Sequence, residues 1–161
     1  MTRIDFYTLV EPAPDAALRL ACQLVEQAYA EGRRVHVHAG SERLAHAIDE
    51  LLWTYEPASF LPHNLVGEGP YPVPPIQIGW GEAQARNTDL LINLADEVPT
   101  ALFGRFAQVA EFVPVAEDAK AKARERYRFY RDRGYPLRMI QEPSATPPVS
   151  PEPAPNERAP S

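Results

Sequence analysis

Short runs of branched and aromatic residues alternate along this chain with segments whose apolar residues recur at helical spacing. No other feature limits the possible folds as much. Residues 4–10 alternate and contain Ile4, Phe6, Tyr7 and Val10, which predicts a strand closed by Pro12 and Pro14. Residues 16–31 place Leu20, Leu24 and Ala28 beside Ala17, Ala21 and Val25, the stripe of a helix, and Gly32 stands where that helix would stop. Residues 34–39 predict a second strand. Ser41 is a natural N-cap for a second helix running to about Trp53. Residues 60–75, with two Gly and five Pro, read as a long loop. Residues 76–80 and 90–94 are short apolar strands, 100–108 suggests a short helix, 111–115 a strand, and 117–133 a basic helix stopped by Gly134 and Pro136.

This order predicts a three-layer α/β fold: a largely parallel sheet of about five strands flanked by helices, Rossmann-like but without a nucleotide site. The chain of 161 residues, 45% hydrophobic, is long enough for one such domain, assigned to residues 1–141. Residues 142–161 hold seven of the 18 prolines and no aromatic residue, a composition that predicts a disordered tail. No apolar run reaches the length of a membrane span, no signal-peptide core is visible, and one cysteine excludes a disulfide framework, so a cytoplasmic protein is expected.

Catalytic chemistry finds no candidate group, and no cofactor or metal is expected. The first strand-to-helix turn, Val10-Glu11-Pro12-Ala13-Pro14-Asp15, has no glycine to let a phosphate approach, and its two prolines lack an N–H. Gly67-Glu68-Gly69-Pro70 leads into prolines instead of a helix N-terminus. His36 and His38 share one strand face, as chelating ligands do, yet no third ligand converges and polar strand residues explain them. His46 fits a solvent-facing helix position and Cys22 a small core side chain. Glu117 and Asp118 read as first-turn charges that suit the helix dipole.

Charge is segregated. The formal net charge is -6, but residues 117–138 carry eight Lys/Arg against four Asp/Glu, a local balance of +4 that leaves -10 elsewhere. On a helix, Lys120, Arg124, Arg128 and Arg131 fall in one stripe about 80° wide, with Ala119, Ala123 and Tyr130 beside it and Tyr127 at the border. Either this is a solvated face, or the mutual repulsion of four cations is relieved by an acidic partner. Trp53 and the Pro-rich segment starting Phe60-Leu61-Pro62 place large apolar groups where core anchoring and protein docking are both open readings.

These residues carry a family resemblance. Phe60-Leu61-Pro62-His63-Asn64-Leu65-Val66-Gly67-Glu68-Gly69-Pro70, with Trp53 upstream and Ala123-Arg124-Glu125-Arg126-Tyr127 downstream, is similar to the chi subunit of bacterial DNA polymerase III holoenzyme. Phe6-Tyr7 and Phe112-Val113-Pro114 fit as well. The resemblance runs over residues 1–137 and stops at the Pro-rich tail, which shorter family members lack.

It implies a subunit without catalysis of its own, within a nucleotidyltransferase holoenzyme, which meets DNA only indirectly and no membrane. Its implied partners are the psi subunit of the clamp loader and the acidic C-terminal tail of single-stranded-DNA-binding protein. By that resemblance the tail would bind Val113, Lys120, Arg124, Tyr127 and Arg128, and psi would bind Trp53 and Phe60. The alternative is an α/β protein that binds nucleic acid directly through its basic C-terminal helix.

Overall fold

The computed structural model describes residues 2–54, 61–67, 73–81 and 85–141. Phe60, most of the Gly-Pro segment and the Pro-rich tail assigned to residues 142–161 lie outside the described residues. Among the described residues seven strands form one sheet: β1 (Arg3–Thr8), β2 (Val35–Ala39), β3 (His63–Leu65), β4 (Ile76–Trp80), β5 (Leu90–Asn93), β6 (Gln108–Val113) and β7 (Leu137–Gln141). Their order is β3-β4-β2-β5-β6-β1-β7, and all six pairings are parallel.

Three α-helices among the described residues cover the sheet: α1 (Ala16–Ala30), α2 (Glu42–Thr54) and α3 (Glu117–Asp132). Period-2 alternation divides the strand residues between two cores. Val35, Val37, Ile78, Ile92 and Phe112 pack with Leu20, Val25, Ile48 and Leu52 of α1 and α2. Ile4, Phe6, Leu91 and Val109 face the other way, toward Tyr130 of α3 and Phe103. The three-layer α/β class follows directly from this division.

The expectation of about five strands is corrected to seven. β3 is a three-residue parallel edge strand inside the segment read as a loop. β7 follows Pro136 and pairs with β1 from Ile4↔Leu137 to Thr8↔Gln141. The helix expected over residues 100–108 is only a 3-10 turn, Phe103–Arg105, because the chain enters β6 at Gln108. β6 accordingly begins three residues before the strand read over 111–115 and ends at Val113.

The helix boundaries follow their capping chemistry. Ser41 Oγ accepts the Leu44 N–H at 3.1 Å, as an N-cap does. Gly32, at φ 75°, lets Arg33 N–H reach the Ala28 carbonyl at 2.9 Å. Gly134, at φ 81°, lets Tyr135 N–H reach Tyr130 at 3.2 Å, so both helices end in the same left-handed glycine cap.

The paired histidines of β2 are core residues, a correction to their reading as ordinary polar strand positions. His36 is fully buried beside Phe106, ring centroids 6.1 Å apart, and neither ring nitrogen has a hydrogen-bond partner. Burial, with a smaller contribution from His38, lowers its pKa to about 4. Burial also lowers that of His38.

The unfolded chain therefore binds protons that the fold refuses, and stability falls with pH between 6.5 and about 4. From His36 alone the loss is about 3 kcal/mol. Urea unfolding of wild type and His36→Phe across this window checks the assignment. The variant should lose most of the slope, whereas an unchanged slope would show that His36 is not the group responsible.

Candidate functional site

The connection β6–α3–β7 decides where the cationic helix lies. β6 and β7 flank β1, so α3 crosses over β1 and lies above Phe6. Phe6 is fully buried and meets the Tyr127 ring edge-on, with centroids 5.4 Å apart. Met139 is the β7 partner of Phe6, and Val113 is paired with Thr8 two residues further along β1.

Between this apolar floor and the helix runs a groove of about 430 Å³. It is lined by Phe6, Val113 and Met139 below, and by Lys120, Arg124, Tyr127, Arg128 and Arg131 on the helix. All five residues expected to bind the peptide tail thus share one groove. Phe6 and Met139 are added by the structure.

Rotation of α3 is set by a buried polar cluster that the sequence reading did not single out. Glu111 of β6 is fully buried and accepts hydrogen bonds from three side chains. Arg126 Nε donates at 2.8 Å, Asn93 Nδ2 at 2.8 Å and Tyr130 Oη at 2.7 Å. Arg126 also donates to the backbone oxygens of Asp96 at 2.8 Å and Phe112 at 3.1 Å. Burial pushes the Glu111 carboxyl upward, and Arg126, Asn93 and Tyr130 pull it back toward the charged form. Burial, with Glu111 beside it, raises the Tyr130 phenol.

Arg124 points roughly 160° away from Arg126 around the helix, so anchoring Arg126 against the sheet turns the cationic stripe onto the groove. The sequence signal for Arg126 was only its position among other arginines.

The stripe is less uniformly positive than its spacing suggests. Lys120 Nζ lies 3.8 Å from Glu117, and Arg131 contacts Asp132 at 3.0 Å. Among the described residues, Arg124 and Arg128 have no carboxylate partner. Glu125 faces a separate hollow on the far side of α3 with Asp96 and Lys122. The groove therefore offers two unpaired guanidinium forks above an apolar slot, a geometry suited to a carboxylate carried by an apolar residue.

The remaining candidates lie apart from it. Trp53, in the last turn of α2, is 57% exposed, and its ring lies 4.5 Å from that of His63. His63 is itself held between the backbone oxygens of Leu61 at 2.6 Å and Asp49 at 3.1 Å, so the exposed indole rests on a fixed support. His46 is exposed, and Cys22 is buried with its thiol pushed up to about 11 by burial. Among the described residues no three His, Cys, Asp or Glu side chains converge as metal ligands, and no helix is long and apolar enough to cross a membrane.

Removing the Arg126 side chain should cost about 3–5 kcal/mol, because Glu111 keeps its burial and loses its counter-charge. Urea titration of Arg126→Met and of the double variant Glu111→Leu/Arg126→Leu tests this. The double variant should be the more stable of the two, and the opposite order would show that the carboxylate does not depend on Arg126.

Comparison with known proteins agrees across almost the whole described chain. The family described as DNA polymerase III chi subunit, HolC, matches residues 1–138. A Pseudomonas aeruginosa protein called DNA polymerase III subunit chi is 39% identical over 137 residues, covering 85% of this chain and 94% of its own. Proteins of the same name from Haemophilus influenzae and Escherichia coli are 39% and 36% identical, covering 83% and 84% of this chain and 92% and 88% of theirs. The crystal structure of T4 UvsW superposes with a TM-score of 0.58 at 10% identity, over 88% of this chain and 41% of that one. That likeness concerns the fold alone.

Proposed function

This chain belongs to the DNA polymerase III chi subunit family, and we propose that it serves DNA replication as a non-catalytic accessory subunit with two docking surfaces. The α3 groove takes the acidic C-terminal tail of single-stranded-DNA-binding protein. The Trp53 surface takes the psi subunit of the clamp loader, with Phe60 contributing. Through that tail the protein links the cytoplasmic replication machinery to coated lagging-strand template.

One observation supports the groove reading above all: among the described residues no carboxylate pairs with Arg124 or Arg128, which stand beside an apolar slot. Arg124, near the middle of the stripe, holds the terminal carboxylate through paired N–H donors. Val113, Phe6, Met139 and the Tyr127 ring receive the terminal apolar side chain. Lys120 and Arg128 draw in the acidic residues that precede it, through fields that salt screens. The Trp53 reading rests on an exposed indole fixed against a buried imidazole, a surface that can give up area to a partner with little loss of side-chain freedom.

Replacing Arg124 by Ala removes a charge-assisted contact worth about 1.5–3 kcal/mol, roughly a ten- to hundredfold loss of tail-peptide affinity. Arg124→Glu should be worse. Calorimetric titration with the tail peptide at low and high salt checks both variants, and peptide binding by Arg124→Glu at wild-type strength would refute the groove.

Trp53→Ala should lower psi affinity by about 2 kcal/mol or more, while leaving tail-peptide binding and the melting temperature near wild type. Co-purification with psi, together with the peptide titration, reads both effects. Undiminished psi binding would remove Trp53 from that surface.

A further inference from the structure

A second cationic site lies on the opposite sheet face, beneath the C-terminal end of α1. Asp5 of β1 is fully buried, yet its carboxylate is surrounded by donors. Arg138 of β7 donates Nε and Nη2 to its two oxygens at 3.0 and 3.1 Å. Gln108 donates its amide at 2.7 Å, and Arg3 Nε lies 3.4 Å away. Burial works to raise the Asp5 carboxyl, but these partners outweigh it and hold the pKa below the ordinary value.

The other face of Gln108 is equally committed. Its oxygen accepts from Arg33 Nη1 at 2.6 Å, and Arg33 Nε donates to Glu31 at 3.1 Å. Three guanidinium groups are thereby drawn to side chains of the sheet and of the end of α1, Arg33 and Arg138 through two hydrogen bonds each and Arg3 through a 3.4 Å ion pair. They open onto a cleft of about 290 Å³, with Tyr7 and Gln108 in its lining.

We propose that Arg3, Arg33 and Arg138, fixed around the buried Asp5 and Gln108, form a recognition site for a phosphate group. The charge count favours an anion. Three guanidinium groups face two carboxylates, Asp5 and Glu31, leaving one formal positive charge. Asp5 has no exposed surface, and the half-exposed Glu31 in the same lining is paired with Arg33 at 3.1 Å. Arg3 keeps both Nη groups, Arg138 keeps Nη1 and Arg33 keeps Nη2, none of them used by an acceptor among the described residues.

Planar forks of this kind match the oxygens of a phosphate, and fixing them in advance removes the side-chain ordering that weakens surface anion sites. The Tyr7 hydroxyl, in the same lining, is a further donor. The phosphate could belong to a nucleic-acid backbone or to a small phosphorylated molecule. Both present the same group to the cleft, which is small for anything beyond one or two phosphates.

Pyrophosphate titrated into the full chain, followed by NMR of the Gln108 side-chain amide and the arginine Nε–H signals, tests the site. Saturable shifts with a dissociation constant of order 1 mM or tighter are expected. Arg33→Gln and Arg3→Gln should each weaken binding roughly tenfold. Both residues are partly exposed, and Gln108 and Arg138 continue to hold Asp5 in either variant. Arg124→Glu, in the peptide groove, should leave pyrophosphate binding unchanged.

Competition by an oligothymidylate for the same signals supports the site with a nucleic-acid backbone as the source. Pyrophosphate binding without that competition supports it with a small phosphate ligand. No saturable shift at Gln108, or wild-type binding by both arginine variants, overturns the proposal.

Discussion

The salt bridge between Glu111 and Arg126 sets the geometry on which the groove depends. A carboxylate within a parallel sheet is costly to bury, and it persists here because a guanidinium, an amide and a phenol all donate to it. The donors come from two elements: Arg126 and Tyr130 from α3, Asn93 from the end of β5. The carboxylate therefore fixes the rotation of α3 on the sheet as well as its position. Arg126 and Tyr130 point inward, and the stripe from Lys120 to Arg131 turns toward the exposed side of β1 and β7. A helix free to rotate by a third of a turn would present the same cations to open solvent.

Topology does the remainder. Because β1 lies between β6 and β7, the β6–α3–β7 crossover must pass over β1, placing Phe6 below Tyr127. The slot is built from one side chain on each of three neighbouring strands: Val113, Phe6 and Met139. The other proposed surface is distant. Trp53 lies on α2, which covers the β3–β4 edge of the sheet, whereas the groove adjoins the β7 edge. Two partners at opposite edges need not compete, as a link between two assemblies requires. The overall charge of -6 adds selectivity by repelling acidic chains everywhere except at such cationic islands.

How much of this the sequence disclosed depended on the range of each interaction. The amphipathic helices and central strands were legible because their apolar periodicity is local: Leu20, Leu24 and Ala28 mark α1 without reference to the rest of the chain. Ser41 and Gly32 disclosed helix ends for the same reason. β3 was not legible, since three residues between prolines and glycines carry too little period to register. β7 was obscured by Pro136 before it and the proline-rich segment after it. The cationic stripe was visible as charges at helical spacing. Its apolar floor was hidden, because the adjacency of Phe6, Val113 and Met139 arises only from strand order. Arg126 looked like its neighbours, and only its burial against Glu111 separates it from Arg124. His36 and His38 share a face as the alternation implies, but sequence alone did not show that Phe106 would pack over His36 and leave it fully buried.

The central claim is that the groove between α3 and the β6–β1–β7 strands holds the terminal residues of an acidic peptide. Chemical-shift mapping of the full chain with the isolated tail peptide tests it most directly. The account predicts saturable perturbations at Phe6, Val113, Arg124, Tyr127, Arg128 and Met139, with Trp53 and Gln108 unmoved. Perturbations centred on Trp53, or on Arg3 and Arg33, with the groove residues silent, would contradict it.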